Sequence, residues 1–554
     1  MAEKKAFHKS KKFYVLSAIL LILFTAGFLF WRNYKYKLVN EKLDQLITVK
    51  SKGLYQLNYK NLVIDEALGN VSVENVEVIP DSEVYQMQVD QKTAPQNLFF
   101  IRIPKLLISG VITPKALLNK EISAHIIKIE NAKIEIRLHK GDKANGSGLS
   151  TGIRSDLYRV ILGKLNSIKT DSIVLENAEV TLSDKNSKAV RVTTSGLSIR
   201  FSGVIIDSAH QNDSSRFLFS KDLAVHCDRL EIPFKDKFYN LEVSGLDLNT
   251  YSRFLHTDRI FMKPLLSETD FAKAHHFAVD RLDIRIGSLD VQRINFQALL
   301  AGQFMADTVM ISNASLHDFR DKSYPHDSAD RTNNYPQLVI MKLPFSVYVS
   351  KIIIRDSYIE YKEKNDKSDS SGKVSFFHVQ AGFDNVTNMM IHIKTNNRML
   401  LHFSASFLNE APFHTDITMI LNDKKGSFRM DAKLGEINAV SLNPLLKPMA
   451  LAEVDKGKIS SLRYQLDATN TSAHGKLLLI YDDLSLRLLK KDDDKNKYKT
   501  KFFPTLAAGL VIKESNPKNG KTRIGEIDYD RDINRSIFNL MWKSLFTAIK
   551  NVAI

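Results

Sequence analysis

From Ile129 to Ile136 the chain reads IENAKIEI. Ile129, Ile134 and Ile136 are interleaved with charged residues on either side of an Asn-Ala step. Alternation of period two gives an extended strand one apolar face and one wet face. The Asn breaks the phase. Asn and Asp tolerate the left-handed backbone region and bond their own neighbours, which suits a bulge or tight corner. The phrase recurs as VENVEVIP from Val73, LENAEVTL from Leu175, ISNASLHD from Ile311 and IRDSYIEY from Ile354. Each is an apolar residue, a polar one, Asn or Asp, a small residue or Val, then a resumed strand. Generic turn chemistry also favours Asn, yet five occurrences in similar surroundings point to a repeated structural unit. The irregular spacing excludes a strict solenoid array.

Outward from these phrases the same alternation continues, as at Leu282, Ile284 and Ile286 or Ile352, Ile354 and Ile359. Roughly twenty to twenty-five such runs are separated by polar breaks that read as loops between hairpins. Helical periodicity is scarce: Ser155 to Leu165, a stretch within 251–274, and a terminal stripe of Ile537, Phe538, Met541, Trp542, Leu545, Phe546, Ile549 and Val552. The fold class this predicts is mainly β: a large antiparallel sheet with few helices. The terminal helix, over 534–554, presents Phe538, Trp542 and Phe546 on its apolar face.

The N-terminus adds a membrane segment. Phe13 to Trp31 carries no charge and, at about 1.5 Å per residue, spans roughly 28 Å, close to the hydrocarbon thickness of a bilayer. Phe13, Tyr14 and Trp31 mark its ends, where aromatic rings prefer to lie. No A-x-A-like cleavage site precedes Arg32, so an uncleaved anchor is expected rather than a signal peptide. Lys4, Lys5, Lys9, Lys11 and Lys12 hold residues 1–12 in the cytoplasm and send the bulk of the chain across the membrane. Tyr36, Val39, Leu43, Leu46 and Ile47 give a connecting helix over 32–50. Residues 51–320 and 321–533 then form an N-terminal and a C-terminal β region.

Composition fits this frame. Across 554 residues, 44% apolar content excludes wholesale disorder, and 25% charged residues exclude a polytopic membrane protein. A single Cys227 excludes an intrachain disulfide and a cysteine-only zinc site. The formal net charge of +16 favours an acidic partner, nucleic acid or membrane surface. Lysines alternating with apolar residues spread over an outer face, without the basic and aromatic interleaving of a nucleic-acid surface.

No catalytic or metal-binding constellation emerges. Gly148 to Gly152 matches G-x-S-x-G, but KGDKANGS before it is polar and flexible where a nucleophile elbow needs a buried strand. Gly520-Lys521-Thr522 ends like a phosphate loop, but Ser515 stands where that loop needs glycine. His275 and His276 fall on opposite sides of a strand or 100° apart on a helix, and neither arrangement makes a metal site alone. The Asp492–Asp494 run, flanked by lysines, reads as a solvated loop. No cofactor and no nucleic acid are expected.

Leu343 to Asn388 reads LPFSVYVSKIIIRDSYIEYKEKNDKSDSSGKVSFFHVQAGFDNVTN. This resembles the AsmA-like envelope proteins of Gram-negative bacteria, particularly forms from the Bacteroidetes: a strand at Ile352 to Ile354, a corner at Asp356-Ser357, Ile359 to Tyr361, a polar loop, Gly372 to Phe376, and an Asn-rich turn from Asn385 to Asn388. Leu442 to Leu445, Gly457 to Ile459, His474 to Leu477, Tyr481 to Leu484 and the amphipathic end are similar too. The likeness covers about 340–554 and the anchor with the first strands, and is weak over about 185–340. It implies an inner-membrane protein, single-pass, with its bulk in the periplasm, related to bridge-like lipid-transfer proteins, and an elongated, strongly curved antiparallel β-sheet groove with an apolar concave face. Membrane lipids, phospholipid above all, are the implied partners, with outer-membrane or periplasmic proteins beside them, and the family has no known catalytic residues.

Alternation supplies the physical reason for lipid: a large sheet with one apolar face must cover it or fill it. Ile129, Ile136, Val180, Ile284, Ile354 and Phe376 are the candidate lining, with the inward phase left open. The competing reading is a scaffold or assembly factor for outer-membrane biogenesis, whose apolar positions are closed core.

Overall fold

The computed structural model describes residues 51–553 except 66, 92, 96, 112–120, 139–165, 185–188, 211–212, 366–369, 492–497 and 501–512. The 1–12 tail, the 13–31 span with Phe13, Tyr14 and Trp31, the 32–50 helix, the helix at 155–165, the Gly148–Gly152 motif and the Asp492–Asp494 run lie outside the described residues. Among the described residues, no helix is long and apolar enough to cross a membrane.

The described chain is one large, mostly antiparallel sheet with few helices. Its first part comprises β1 (Tyr55–Asp65), β2 (Asn70–Pro80), β3 (Asn97–Ser109), β4 (Glu121–Glu130), β5 (Lys133–Leu138), β6 (Ser167–Asp184) and β7 (Val190–Ile206). Then come β8 (Asp222–Pro233), β9 (Tyr239–Asn249), β10 (Phe254–Pro264), β11 (Asp280–Ile286), β12 (Ser288–Gln292), β13 (Gln303–Ser312) and β14 (Ser315–Asp321). The last part holds β15 (Ser346–Lys364), β16 (Gly372–Thr387), β17 (Arg398–Phe407), β18 (Ala411–Ile420) and β19 (Phe428–Leu434). It ends with β20 (Ile437–Asn438), β21 (Ala452–Ala468), β22 (Ser472–Lys491), β23 (Tyr498–Thr500) and β24 (Ile524–Asp530). The helices are α1 (Ser82–Asp90), α2 (Glu268–His275), α3 (Phe296–Leu300), α4 (Pro336–Met341), α5 (Met390–Thr395), α6 (Asn443–Ala450) and α7 (Ile537–Ala553).

Sequence neighbours are sheet neighbours. Strands β4 and β5 lie end to end against β3, as do β11 and β12 against β10. Roughly nineteen rungs about 4.8 Å apart carry the sheet roughly 85 Å. The purely antiparallel expectation is corrected at two joins, where β6 runs parallel to β4 and β5, and β15 parallel to β13 and β14. Parallel neighbours need a long crossover, which 139–166 and 322–345 supply. The second join carries the sheet without a break past residue 321.

The joins are built alike. The Asn131 N–H donates to the Glu176 carbonyl at 2.9 Å and the Glu179 N–H to that of Ala132 at 2.8 Å. At the other join, the Asn313 N–H donates to the Arg355 carbonyl at 3.1 Å and the Tyr358 N–H to that of Ala314 at 2.8 Å. Four of the five recurring phrases therefore sit side by side in pairs.

Asn75, Asn131, Asn177, Asn313 and Asp356 all adopt left-handed backbone, φ 49 to 54°. Where two residues face one, the strand bends: Leu175 pairs with Ile199, but the next partner of Leu197 is Ala178. Gly196 and Gly245 are left-handed on β7 and β9, and the side chains of Asp228 and Asp258 occupy the space their missing Cβ atoms leave. A line of bends thus crosses the sheet from rung to rung.

The stretch 251–274, read as partly helical, splits at Pro264 into β10 and α2. His275 ends that helix and His276 caps it in left-handed backbone. The sealed core lies at the C-terminal end. There α4 and α7 bury Tyr335, Leu338, Leu540, Ala548 and Val552 with Leu466, Leu477 and Ile527 of β21, β22 and β24. Gly525 permits this contact, because a Cβ there would meet the backbone of Ala548.

Candidate functional site

Strand register fixes which apolar residues share a face. One row runs Ile101, Ile134, Val180, Thr194, Leu230, Val243, Ile260 and Ile286. A second, beyond the bends, runs Leu106, Ile129, Leu175, Ile199, Val225, Leu248, Leu255, Val291, Val309 and Ile352. All six candidates lie on this face. Ile136, Val180, Ile284 and Phe376 are on one side of the bend line, and Ile129 and Ile354 on the other. The six therefore share a single strand phase.

The row at the bends is buried over β4 to β8, where none of the described helices makes more than slight contact, whereas Phe271 of α2 packs on Tyr239 of β9. Ala178 is 0% exposed and Ala132 1%, and Cys227, Ser357 and Val379 are buried with them. The small residues at the bends let the bent sheet close around them, whereas the larger apolar residues on either side stay half-buried over β4 to β8, and Val243 and Val291 further along the two rows are buried. Phe99, opposite Ile136, is 38% exposed. Over β21 to β24 the same face is sealed: Leu466 is 1% exposed and Leu477 0%. The expectation of too few helices to cover the sheet therefore fails at the C-terminal end, where α4 and α7 supply the second layer, and describes β4 to β8.

The opposite face is polar. His226 Nδ1 meets Asp247 at 2.7 Å and His256 Nδ1 meets Asp290 at 2.7 Å, with Asp228 and Asp258 on the second ring nitrogens. These carboxylates raise both imidazole pKa values, Asp247 and Asp290 contributing most. No described group of acidic, His and Cys residues forms a metal site.

The apolar face also holds a polar cluster at its edge. Arg320 donates to Asp280 at 2.7 Å, the Tyr361 hydroxyl to Glu363 at 2.7 Å, and Lys322 pairs with Glu363 at 2.6 Å. Asp318 lies opposite Tyr361. Burial and the nearby Asp280 carboxylate push its pKa up to about 7, against the pull of Arg320. Sequence reading missed this cluster because its charges alternate like those of the wet face. It missed Gly196 and Gly245 as well, although the repeated Ser-Gly-Leu at 195–197 and 244–246 signals them.

The terminal helix divides its broad stripe. Leu540, Ser544, Ala548 and Val552 are buried, and the Tyr464 hydroxyl donates to the Met541 carbonyl at 3.1 Å. Phe538 (75% exposed), Trp542 and Phe546 face outward. Trp542 stacks on Phe546, with the Lys550 ammonium 4.8 Å from the Phe546 ring centroid.

No family model matches the chain, and no curated protein matches it. Among solved structures, the crystal structure of Sex pheromone staph-cAM373 precursor matches at 10% identity, over 63% of this chain and 89% of that one, with a TM-score of 0.13. A likeness that low carries no argument.

Proposed function

We propose that the bent apolar face is a groove for lipid acyl chains, in an inner-membrane-anchored periplasmic protein that binds and helps move phospholipid or other lipids for outer-membrane homeostasis. One observation carries this reading: over β4 to β8, two half-buried apolar rows flank a buried line of small residues with no described helix making more than slight contact there. An acyl chain lying between the rows leaves its headgroup in water. Each methylene so buried recovers about 0.8 kcal/mol, so a long chain is held without one strong contact and slides between equivalent positions. The resemblance to AsmA-like proteins, the uncharged 13–31 segment and its basic flank support the anchor and the compartment. Neither lipid binding nor sliding requires a reacting group, and no enzymatic activity is proposed.

The sealed face over β21 to β24 favours a second reading, a scaffold or assembly factor whose apolar positions are core throughout. Photo-crosslinking in the full-length chain separates the two. A photoreactive residue at Ile136 or Ile354 gives phospholipid adducts if the groove holds lipid, and one at Arg102 on the opposite face does not. Adducts absent from both inner positions favour the scaffold.

A further inference from the structure

One edge of the sheet collects apolar and basic side chains from loops that are distant in sequence. Register brings together the start of β15 and end of β16, the start of β17 and end of β18, the start of β19 and end of β21, and the start of β22 and end of β24. The segments at this edge are α4 with Phe345, α5, the turn of Lys424 and Lys425, and the lead into α7. They are tied to one another. The Asn388 side chain donates to the Phe345 carbonyl at 2.8 Å and that of Ile340 at 3.3 Å, the Asn470 N–H to that of Lys425 at 2.7 Å, and Arg331 to that of Asn534 at 2.9 Å.

This edge exposes Val339, Phe345, Met390, Ile391 and Phe538, with Ile391 71% exposed. Lys394, Lys424 and Lys425 are exposed among them. Of the nearby acids, Asp423 accepts from the Lys425 and Ser427 N–H groups, Asp532 pairs with Arg535 and Asp327 with Arg331, while Asp330 and Asp530 are exposed.

We infer that this edge docks on an anionic bilayer surface, seating Ile391, Met390, Phe345 and Phe538 among the headgroups while the lysines meet acidic lipid. Lysine is depleted from protein–protein interfaces, whereas beside apolar anchors at a membrane its stem lies along the hydrocarbon and its ammonium reaches the headgroups. The inference concerns the edge and not the groove, so it stands or falls independently of lipid carriage.

The test uses the full-length chain held in neutral phosphatidylcholine nanodiscs and offered vesicles of phosphatidylcholine, with or without phosphatidylglycerol, in a flotation assay. The expected result is flotation with phosphatidylglycerol vesicles, lost as salt rises. I391E combined with F538E weakens it at least about tenfold, and K394E with K424E and K425E does the same. The variants keep the wild-type melting temperature and the wild-type crosslinking at Ile136. Flotation that is equal for variants and wild type, or absent with both vesicles, overturns the inference; absence leaves the edge to a protein partner. Loss of crosslinking at Ile136 in wild type, with flotation intact, strikes the groove reading alone.

Discussion

The Asn177 side chain donates to Oδ1 of Asn131 at 2.7 Å across the parallel join, and both residues are left-handed. The two asparagines that bend adjacent strands thus also tie the bends to one another. A branched side chain at φ 51° costs about 1–2 kcal/mol in backbone strain, and the lost amide bond about 1 more. Asn177→Val is therefore expected to lower stability by roughly 2–3 kcal/mol in chemical denaturation, and Asn177→Gly by about 1. Equal losses would mean that the backbone conformation is not what the Asn supplies.

Leu477 and Ile136 share a face but not an environment. Leu477→Ala leaves a cavity beneath α7 and should cost about 2–5 kcal/mol, whereas Ile136→Ala, at a position only partly buried, should cost about 1. Ile136→Glu and Ile354→Glu should leave the chain folded and abolish lipid capture. A collapse in melting temperature for both Glu variants would show those positions to be closed core.

Removing 534–554 takes away Leu540, Ala548 and Val552, each fully buried. The deletion is expected to unfold the C-terminal core rather than free a peripheral helix. Hydrogen exchange should then rise across β21, β22 and β24 and stay unchanged across β6 to β9. Unchanged exchange at β22 would argue that the helix contributes little to that core. Gly525→Ala, which pushes a Cβ into the Ala548 backbone, should act in the same direction more mildly.

Two kinds of titration carry opposite signs. His226 and His256 have raised pKa values, so their pairing stabilises fully below the ordinary histidine value of about 6.5 and is lost as pH rises through the folded value. His226→Gln with His256→Gln should flatten the fall in stability on that rise. Asp318, protonated more readily folded than unfolded, costs stability as pH climbs from 3.8 to about 7. Asp318→Asn should stabilise the protein above pH 7 and change little below pH 4. Melting temperatures across that range check both, and a gain for Asp318→Asn confined to low pH would reverse the assignment.

The bends were legible because an Asn or Asp interrupting an apolar alternation has few other uses; all five phrases name a left-handed residue. Ala132 and Ala178 could be read with them, since a bend that closes on itself leaves room only for a small side chain. The parallel joins were not legible. Alternation is the same for either strand direction, and only the crossover length distinguishes them. The fate of the apolar face at the C-terminal end was hidden too, because Leu477 and Ile136 look alike until α7 is set against one of them. The stripe over 537–552 showed a helix with a wide apolar surface. Which part would be buried depended on Gly525, an unremarkable strand residue in the sequence.

Almost every strand joins the one synthesised just before it, so the sheet grows at a single advancing edge as the polypeptide is made. Each new hairpin closes a short loop, and the entropy lost at each step stays small. At 139–166 and 322–345 that edge must idle until a whole crossover has emerged. Those pauses are where an incomplete chain exposes an unpaired ribbon, and where a chaperone or a misdirected neighbour finds its opening.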